Sequence, residues 1–271
     1  MTPNGLNSTL NIAAMTEGPP LLEIDGATAT VTLRRPSLRN SLTDEDLHTL
    51  LRHIEQLNAT PSVHVVVLRA DTATLSEPVF SAGYHVGGFD DDAMAPLFFE
   101  KIPEAIERLR AVTVCALNGS VYGGATDLVL ACDLRVALQG MRWRMPACAL
   151  GLHYYPSGLR RYVARLGLGL SKRAFLLGEN LRVEDLAHAD LFEAVVPAEQ
   201  FDSTVQRLVQ RLCAMAPGAL KATKQSLNEI AAGLYAEPVL RERARQSVHS
   251  ADFAEGRAAF AQRRAPRFTG R

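Results

Sequence analysis

Cysteine is scarce: Cys115, Cys132, Cys148 and Cys213 are the four in 271 residues, and none forms a C-x-x-C pair. Each lies in or beside an apolar stretch, the usual setting of buried reduced thiols, which argues against a disulfide framework. Charge of one sign is lacking too, with 29 Lys plus Arg against 29 Asp plus Glu. That balance removes the broad attraction on which nonspecific binding to nucleic acid or an acidic membrane relies, so neither is expected as a partner. No apolar run reaches the roughly 18 residues a membrane helix needs; the longest is cut by Asp133 and Arg135. Residues 1–20 lack the basic start and apolar core of a secretory signal and read as a loose extension, leaving a cytoplasmic protein as the expectation. Phosphate-cradling G-x-x-x-x-G-K-[ST] and G-x-G-x-x-G loops, the G-x-S-x-G elbow and H-E-x-x-H are all absent. Seven histidines are scattered without ligand spacing, so no metal is expected.

What is present is an ordinary globular composition, 47% apolar and 21% charged, on a chain long enough for a sizeable core. Segment 21–35 alternates around Asp25-Gly26 and reads as a hairpin. Thr43 and Asp46 have the form of a capping box ahead of a helix with Leu47, Leu50, Leu51, Ile54 and Leu57 on one face. Val63–Leu68 and Val112–Leu117 read as strands buried on both faces. Pro96 can open a helix that Pro103 is expected to interrupt. Short strands follow at Leu134–Leu138, Trp143–Met145 and Glu193–Val196, with helices at 157–166, 170–178 and 183–192 between them. Four helical segments fill 200–262. Strands alternating with helices and then a helical tail imply an α/β core over 21–199 and a helical region over 200–271.

Two glycine-rich turns follow buried strands, Ala82-Gly83-Tyr84 and Gly123-Gly124-Ala125. Glycine admits unusual dihedrals and close approach of a ligand, and a helix start presents unpaired N–H groups. Were the Tyr84 and Gly124 N–H groups to converge, they could hold the oxygen of a thioester as it becomes enolate-like. The other reading of both turns is simple chain geometry.

The stretches RRPSLRNSLT (34–43), VFSAGYHVGGF (79–89), NGSVYGGATDLVLACDLRVA (118–137), MPACALGL (145–152) and FAEGRAAFAQRRAPRF (253–268) resemble, in order and spacing, the crotonase superfamily of enoyl-CoA hydratases and isomerases. The resemblance implies a spiral of ββα units and a C-terminal helical region that assembles trimers or hexamers. It also implies an acyl-CoA substrate, with coenzyme A part of the substrate and no separate cofactor. The motif matches put the oxyanion donors on Tyr84 and Gly124, flanked by Ala82, Gly83 and Gly123.

The acid/base groups depart from the pattern. Where hydratases carry a glutamate three residues past the second oxyanion glycine stands Asp127, the leading acid/base candidate; the first turn of a helix also favours a carboxylate there for stability alone. Where the second glutamate follows a proline stands Ala147. Asp127 within G-x-D-L-V-x-A-C-D resembles the dienoyl-CoA isomerase branch, which has further acids at the positions of Ala147 and Tyr155. His85, His153, Tyr154 and Tyr155 are the possible substitutes, imidazole being the better proton shuttle near neutral pH. For the coenzyme A phosphates, residues 257–271 hold five arginines and no acid, with Phe260 and Arg263 on the ligand-contacting positions. Two lysines common near the nucleotide are replaced by Ser37 and Gly87, and Arg35 or Arg39 could compensate. The expected activity is that of an enoyl-CoA hydratase at family level. Isomerisation, another enolate reaction such as decarboxylation, or a catalytically impaired acyl-CoA-binding homologue are the alternatives.

Overall fold

The computed structural model describes residues 16–85 and 95–270; of the expected extension, residues 1–15 lie outside the described residues, as does Gly87. Order begins earlier than the alternation suggests. Strand β1 (Gly18–Asp25) pairs antiparallel with β2 (Thr28–Arg34) around Gly26, whose φ of 57° suits the tight turn. The start is pinned by Arg34, which donates to Pro19 O at 2.6 Å and Thr16 O at 2.7 Å. Helix α1 (Asp44–Asn58) has both halves of its capping box: Asp46 N–H donates to Thr43 Oγ1, and Thr43 N–H to Asp46 Oδ2. It buries Leu47, Leu50, Ile54 and Leu57.

Three ββα turns then repeat. They are β3 (Val65–Ala70), β4 (Val79–Ser81) and α2 (Ala95–Arg108); β5 (Val112–Leu117), β6 (Ser120–Tyr122) and α3 (Ala125–Ala131); and β7 (Leu134–Leu138), β8 (Arg142–Arg144) and α4 (Pro156–Leu176). In each turn the first strand joins one sheet and the second joins another, so the chain advances as a spiral. Strand β9 (Leu181–Arg182), helix α5 (Val183–Ala187) and strand β10 (Ala194–Val196) complete it. The six-stranded sheet runs β1-β2-β3-β5-β7-β10 and the four-stranded one β4-β6-β8-β9. Among the described residues the inner pairings are parallel, and only β1–β2 and β8–β9 are antiparallel.

The switch between sheets is made by Asn118-Gly119. The Asn118 side chain accepts from Ala70 N–H and donates to Ala70 O, standing in for a ladder pair as β5 leaves β3. A Cβ on Gly119 would lie 2.4 Å from Phe80 N, so only glycine lets the two backbones touch. Pro103 does not interrupt α2, contrary to the expectation from sequence. The one hydrogen bond it removes is outweighed by burial of Phe99, Ile102, Ile106 and Leu109 along the helix and just beyond. Gly167, at φ 70° and ψ 167°, breaks α4 where two separate helices were expected.

Helix α6 (Ala198–Cys213) covers the six-stranded sheet, setting Phe201 and Val205 against Val67, Ala116 and Val136. Helices α7 (Pro217–Ala231), α8 (Glu237–Val248) and α9 (Ala251–Gln262) follow. Helix α7 is tied to the core by Lys224, 2.7 Å from Asp133 Oδ2 and 2.8 Å from Ala111 O. No helix among the described residues is long and apolar enough to cross a membrane. All four cysteines are free. Cys115 and Cys132 are buried, but Cys148 is exposed because none of its 3-10 turn, Cys148–Leu150, is buried.

The end of the chain folds back on α9. Arg264 clasps the Glu255 carboxylate, which also accepts from Arg267 N–H, and these bonds pull the Glu255 pKa from 4.5 down to about 2. A depressed carboxylate contributes above its unfolded value and loses that contribution as pH falls through its folded one. The clasp's contribution to stability is therefore expected to be complete above pH 4.5 and to fall away between there and about 2, where the Glu255 carboxylate takes up its proton and the clasp opens. An NMR titration following the Glu255 carboxyl together with Arg267 amide exchange checks this.

Candidate active site

The first glycine turn is held by the segment before α1. Ala82 N–H donates to Arg39 O, Leu42 N–H to Gly83 O and His85 N–H to Leu42 O, a short ladder between 39–42 and 82–85. Asn40, 1% exposed and at φ 53°, is its anchor. Its side chain donates to Asp71 O and Val79 O and accepts from Arg35 N–H, while its own carbonyl accepts from Ser81 Oγ. Ser81 Oγ in turn accepts from Gly83 N–H at 3.1 Å. Asn40→Ala strands these backbone groups, at about 1–3 kcal/mol for each one buried, and is expected to destabilise the protein by roughly 2–5 kcal/mol in urea unfolding.

The second turn sits where β6 meets α3. Gly123, at φ 55°, donates to Arg144 O, and Gly124 caps α3 without a side chain. Among the described residues no acceptor takes the Gly124 N–H.

The two turns meet. A Cβ built on Gly83, at φ 93°, would lie 2.8 Å from Tyr122 O and 3.3 Å from Gly124 N. On its other side Gly124 abuts the Phe99 ring, 2.8 Å from where its Cβ would be. The Tyr84 ring packs edge-on to Phe99 at 6.0 Å, and Tyr84 OH donates to Asp44 Oδ1 at 2.5 Å. Residues some forty apart in sequence thus share one backbone junction with an aromatic wall.

Asp127 lies in the first turn of α3, as the spacing requires, but its carboxylate is spent on α4. It is fully buried, with Oδ1 2.8 Å from Arg161 Nε and Oδ2 2.7 Å from the second Arg161 nitrogen. Tyr155 OH donates to Oδ2 at 2.6 Å, and Tyr154 OH to Tyr155 at 2.8 Å. Arg161 itself is 1% exposed and reaches Glu107, which Arg160 also holds at 2.6 Å. Burial alone would lower the Arg161 pKa; the Asp127 bonds and charge, with Glu107 behind them, keep it above its ordinary value. Burial first, then the Asp127 charge, pushes the Tyr154 and Tyr155 phenols far up, so both stay protonated donors.

The remaining candidates divide. Ala147 is 3% exposed at the start of the 3-10 turn and Tyr155 8% exposed, its ring 6.5 Å from Phe99. His85 and His153 are exposed. Phe260 and Arg263 stand at the far end of α9. Phe260, 87% exposed, lines a cavity of about 650 Å³ with Arg257 and Phe268, and the lining includes neither glycine turn. Among the described residues no cluster of His, Cys, Asp or Glu could hold a metal.

Arg161, Glu107, Phe99 and Asn40 are the site residues that motif reading passed over. Arg161 had a signal: Gly158, Arg161, Tyr162 and Leu166 share the buried face of α4, and an arginine on such a face requires an internal anion.

The profile described as enoyl-CoA hydratase/isomerase matches residues 23–271. The chain belongs to the enoyl-CoA hydratase/isomerase family. The 2,3-dehydroadipyl-CoA hydratase of Escherichia coli (strain K12) is 28% identical over 89% of this chain and 94% of its own. Human enoyl-CoA hydratase domain-containing protein 2, mitochondrial, is 28% identical over 89% and 85%. Among solved structures, the enoyl-CoA hydratase of Bacillus anthracis superposes with a TM-score of 0.84 at 23% identity, covering 94% of this chain and all of that one. At that identity the likeness speaks to the fold, a crotonase spiral. The family-level label is enoyl-CoA hydratase, and the family match indicates an enzyme of the hydratase/isomerase type.

Proposed function

We propose that the chain binds an acyl-CoA with its thioester oxygen between the Tyr84 and Gly124 N–H groups and stabilises the enolate formed there. The observation that carries this reading is the approach of the two glycine turns, with Gly124 N 3.3 Å from a Cβ on Gly83. A preorganised donor in such a pair is worth about 3–4 kcal/mol in the transition state. Asp127 is engaged by Arg161 and Tyr155, and an alanine stands at 147, so a water-activating pair of carboxylates has no support among the described residues. Proton relocation fits this site better than hydration, with His85 and His153 as the exposed imidazoles that could move the proton. Arg263 and Phe260 are proposed to meet the nucleotide end. Exposed Leu227, Ile230, Leu234, Tyr235 and Val239 on and around α7 and α8 support a trimer or hexamer; a cytoplasmic location is part of the same proposal.

Short and medium 2-enoyl- and 3-enoyl-CoA esters, followed by thioester absorbance, test the reaction. Interconversion of the two series is expected, with hydration of the 2-enoyl ester slower by tenfold or more. Faster hydration would overturn the preference for proton relocation. Tight acyl-CoA binding without any turnover would favour the impaired homologue, for which the engagement of Asp127 is the motivating observation.

A further inference from the structure

The geometry points to Asp127 as a positioning residue: with Arg161 it forms a buried clamp that sets the helix carrying the Gly124 N–H, rather than moving a proton itself. The inference rests on the proposed binding of a thioester at that N–H. Gly124 caps α3, and the first turn of that helix is bound to α4 at two successive residues. Thr126 Oγ1 pairs with Tyr162 OH at 2.6 Å and also donates to Gly123 O at 2.6 Å, which binds the turn itself. Asp127 takes the Arg161 guanidinium fork on both oxygens, with Tyr155 OH as a third donor. Behind the fork, Arg161 continues to Glu107 on α2 and to Ser157 Oγ, which donates to Glu100, also on α2. Helix α2 supplies Phe99 against Gly124. The clamp therefore joins the three helices that surround the donor. A bidentate guanidinium–carboxylate pair fixes direction as well as distance, which is what aiming a single N–H demands.

A base at Asp127 would need a lone pair open to substrate, yet the side chain is wholly buried and three hydrogen bonds converge on its two oxygens. The two roles predict opposite responses to loss of Arg161. Freed from its counter-ion, a catalytic carboxylate would become a stronger base and keep or raise turnover; a clamp without its fork loses aim.

The probe is a conjugated arylacryloyl-CoA, whose absorbance moves to longer wavelength when its thioester oxygen is polarised. The wild-type protein is expected to bind it with a red shift. Asp127→Asn and Arg161→Met are both expected to diminish that shift and to lower kcat on the accepted enoyl-CoA by about 10- to 100-fold, the loss that misplacement of a catalytic group brings, with the pH profile unchanged. Tyr155→Phe leaves the ion pair in place and gives a smaller loss in the same direction, which keeps the test open if Arg161→Met does not fold. The role is overturned if Asp127→Asn keeps the full red shift while turnover vanishes, or if Arg161→Met or Tyr155→Phe raises turnover. A wild-type protein that leaves the chromophore unshifted refutes the thioester-binding reading, and this role falls with it.

Discussion

Replacing Gly83 by alanine is expected to lower kcat by about 10² to 10³, the effect of losing one aimed donor. The added methyl has nowhere to go. Its carbon would sit 2.8 Å from Tyr122 O and 3.3 Å from Gly124 N, both backbone atoms of the opposing turn, and φ at 93° is strained for any side chain. Relief requires the two turns to part, and the proposed pairing of the Tyr84 and Gly124 N–H groups on one oxygen depends on their approach. Gly26→Ala is the control: it too has positive φ, 57°, but nothing lies within 4 Å of its Cβ. It should cost about 1 kcal/mol of stability and leave kcat alone. Steady-state kinetics on the accepted enoyl-CoA, with thermal melts of both variants, decide the matter; a Gly83→Ala enzyme with wild-type kcat would remove the turns from the mechanism.

Arg161→Met carries the largest expected cost in stability. Breaking a buried pair leaves an uncompensated charge and typically costs about 3–5 kcal/mol, which for a chain of this size lowers Tm by roughly 6 to 20 °C. Asp127 is fully buried and among the described residues has no other cation on it, so little of that charge can be screened. The Arg173–Glu179 pair offers the contrast. Its distance is the same 2.7 Å, but its side chains are 48% and 37% exposed, and Arg173→Met should leave the melting temperature nearly unchanged. Differential scanning calorimetry of the two variants separates them. Equal melts would mean that water reaches Asp127.

Much of the fold could be read locally. The hairpin at Asp25-Gly26, the Thr43 cap and the strands β3, β5 and β7 each carry their signal within a few residues, as turn chemistry, a side chain three positions from its backbone partner, or a β-branched run. Strands β4, β6 and β9 were not legible. They are two or three residues long and show no period, becoming strands only because Val79 finds Ser120 and Leu181 finds Trp143 across the four-stranded sheet. Pro103 misled for the related reason that local propensity is a weak force beside a buried helix face.

The same division runs through the site. Sequence alone determined which residues could serve: two glycine turns where a backbone can be approached, a carboxylate one helical turn beyond the second, and alanine at 147 in place of an acid. Those are properties of side chains and of φ, and a string of residues contains them. Only the tertiary structure decided what each would meet. It set Gly83 against Gly124, laid Phe99 over the junction and turned Asp127 toward Arg161, because close packing joins groups that chain order keeps apart and a buried charge settles where its counter-ion is.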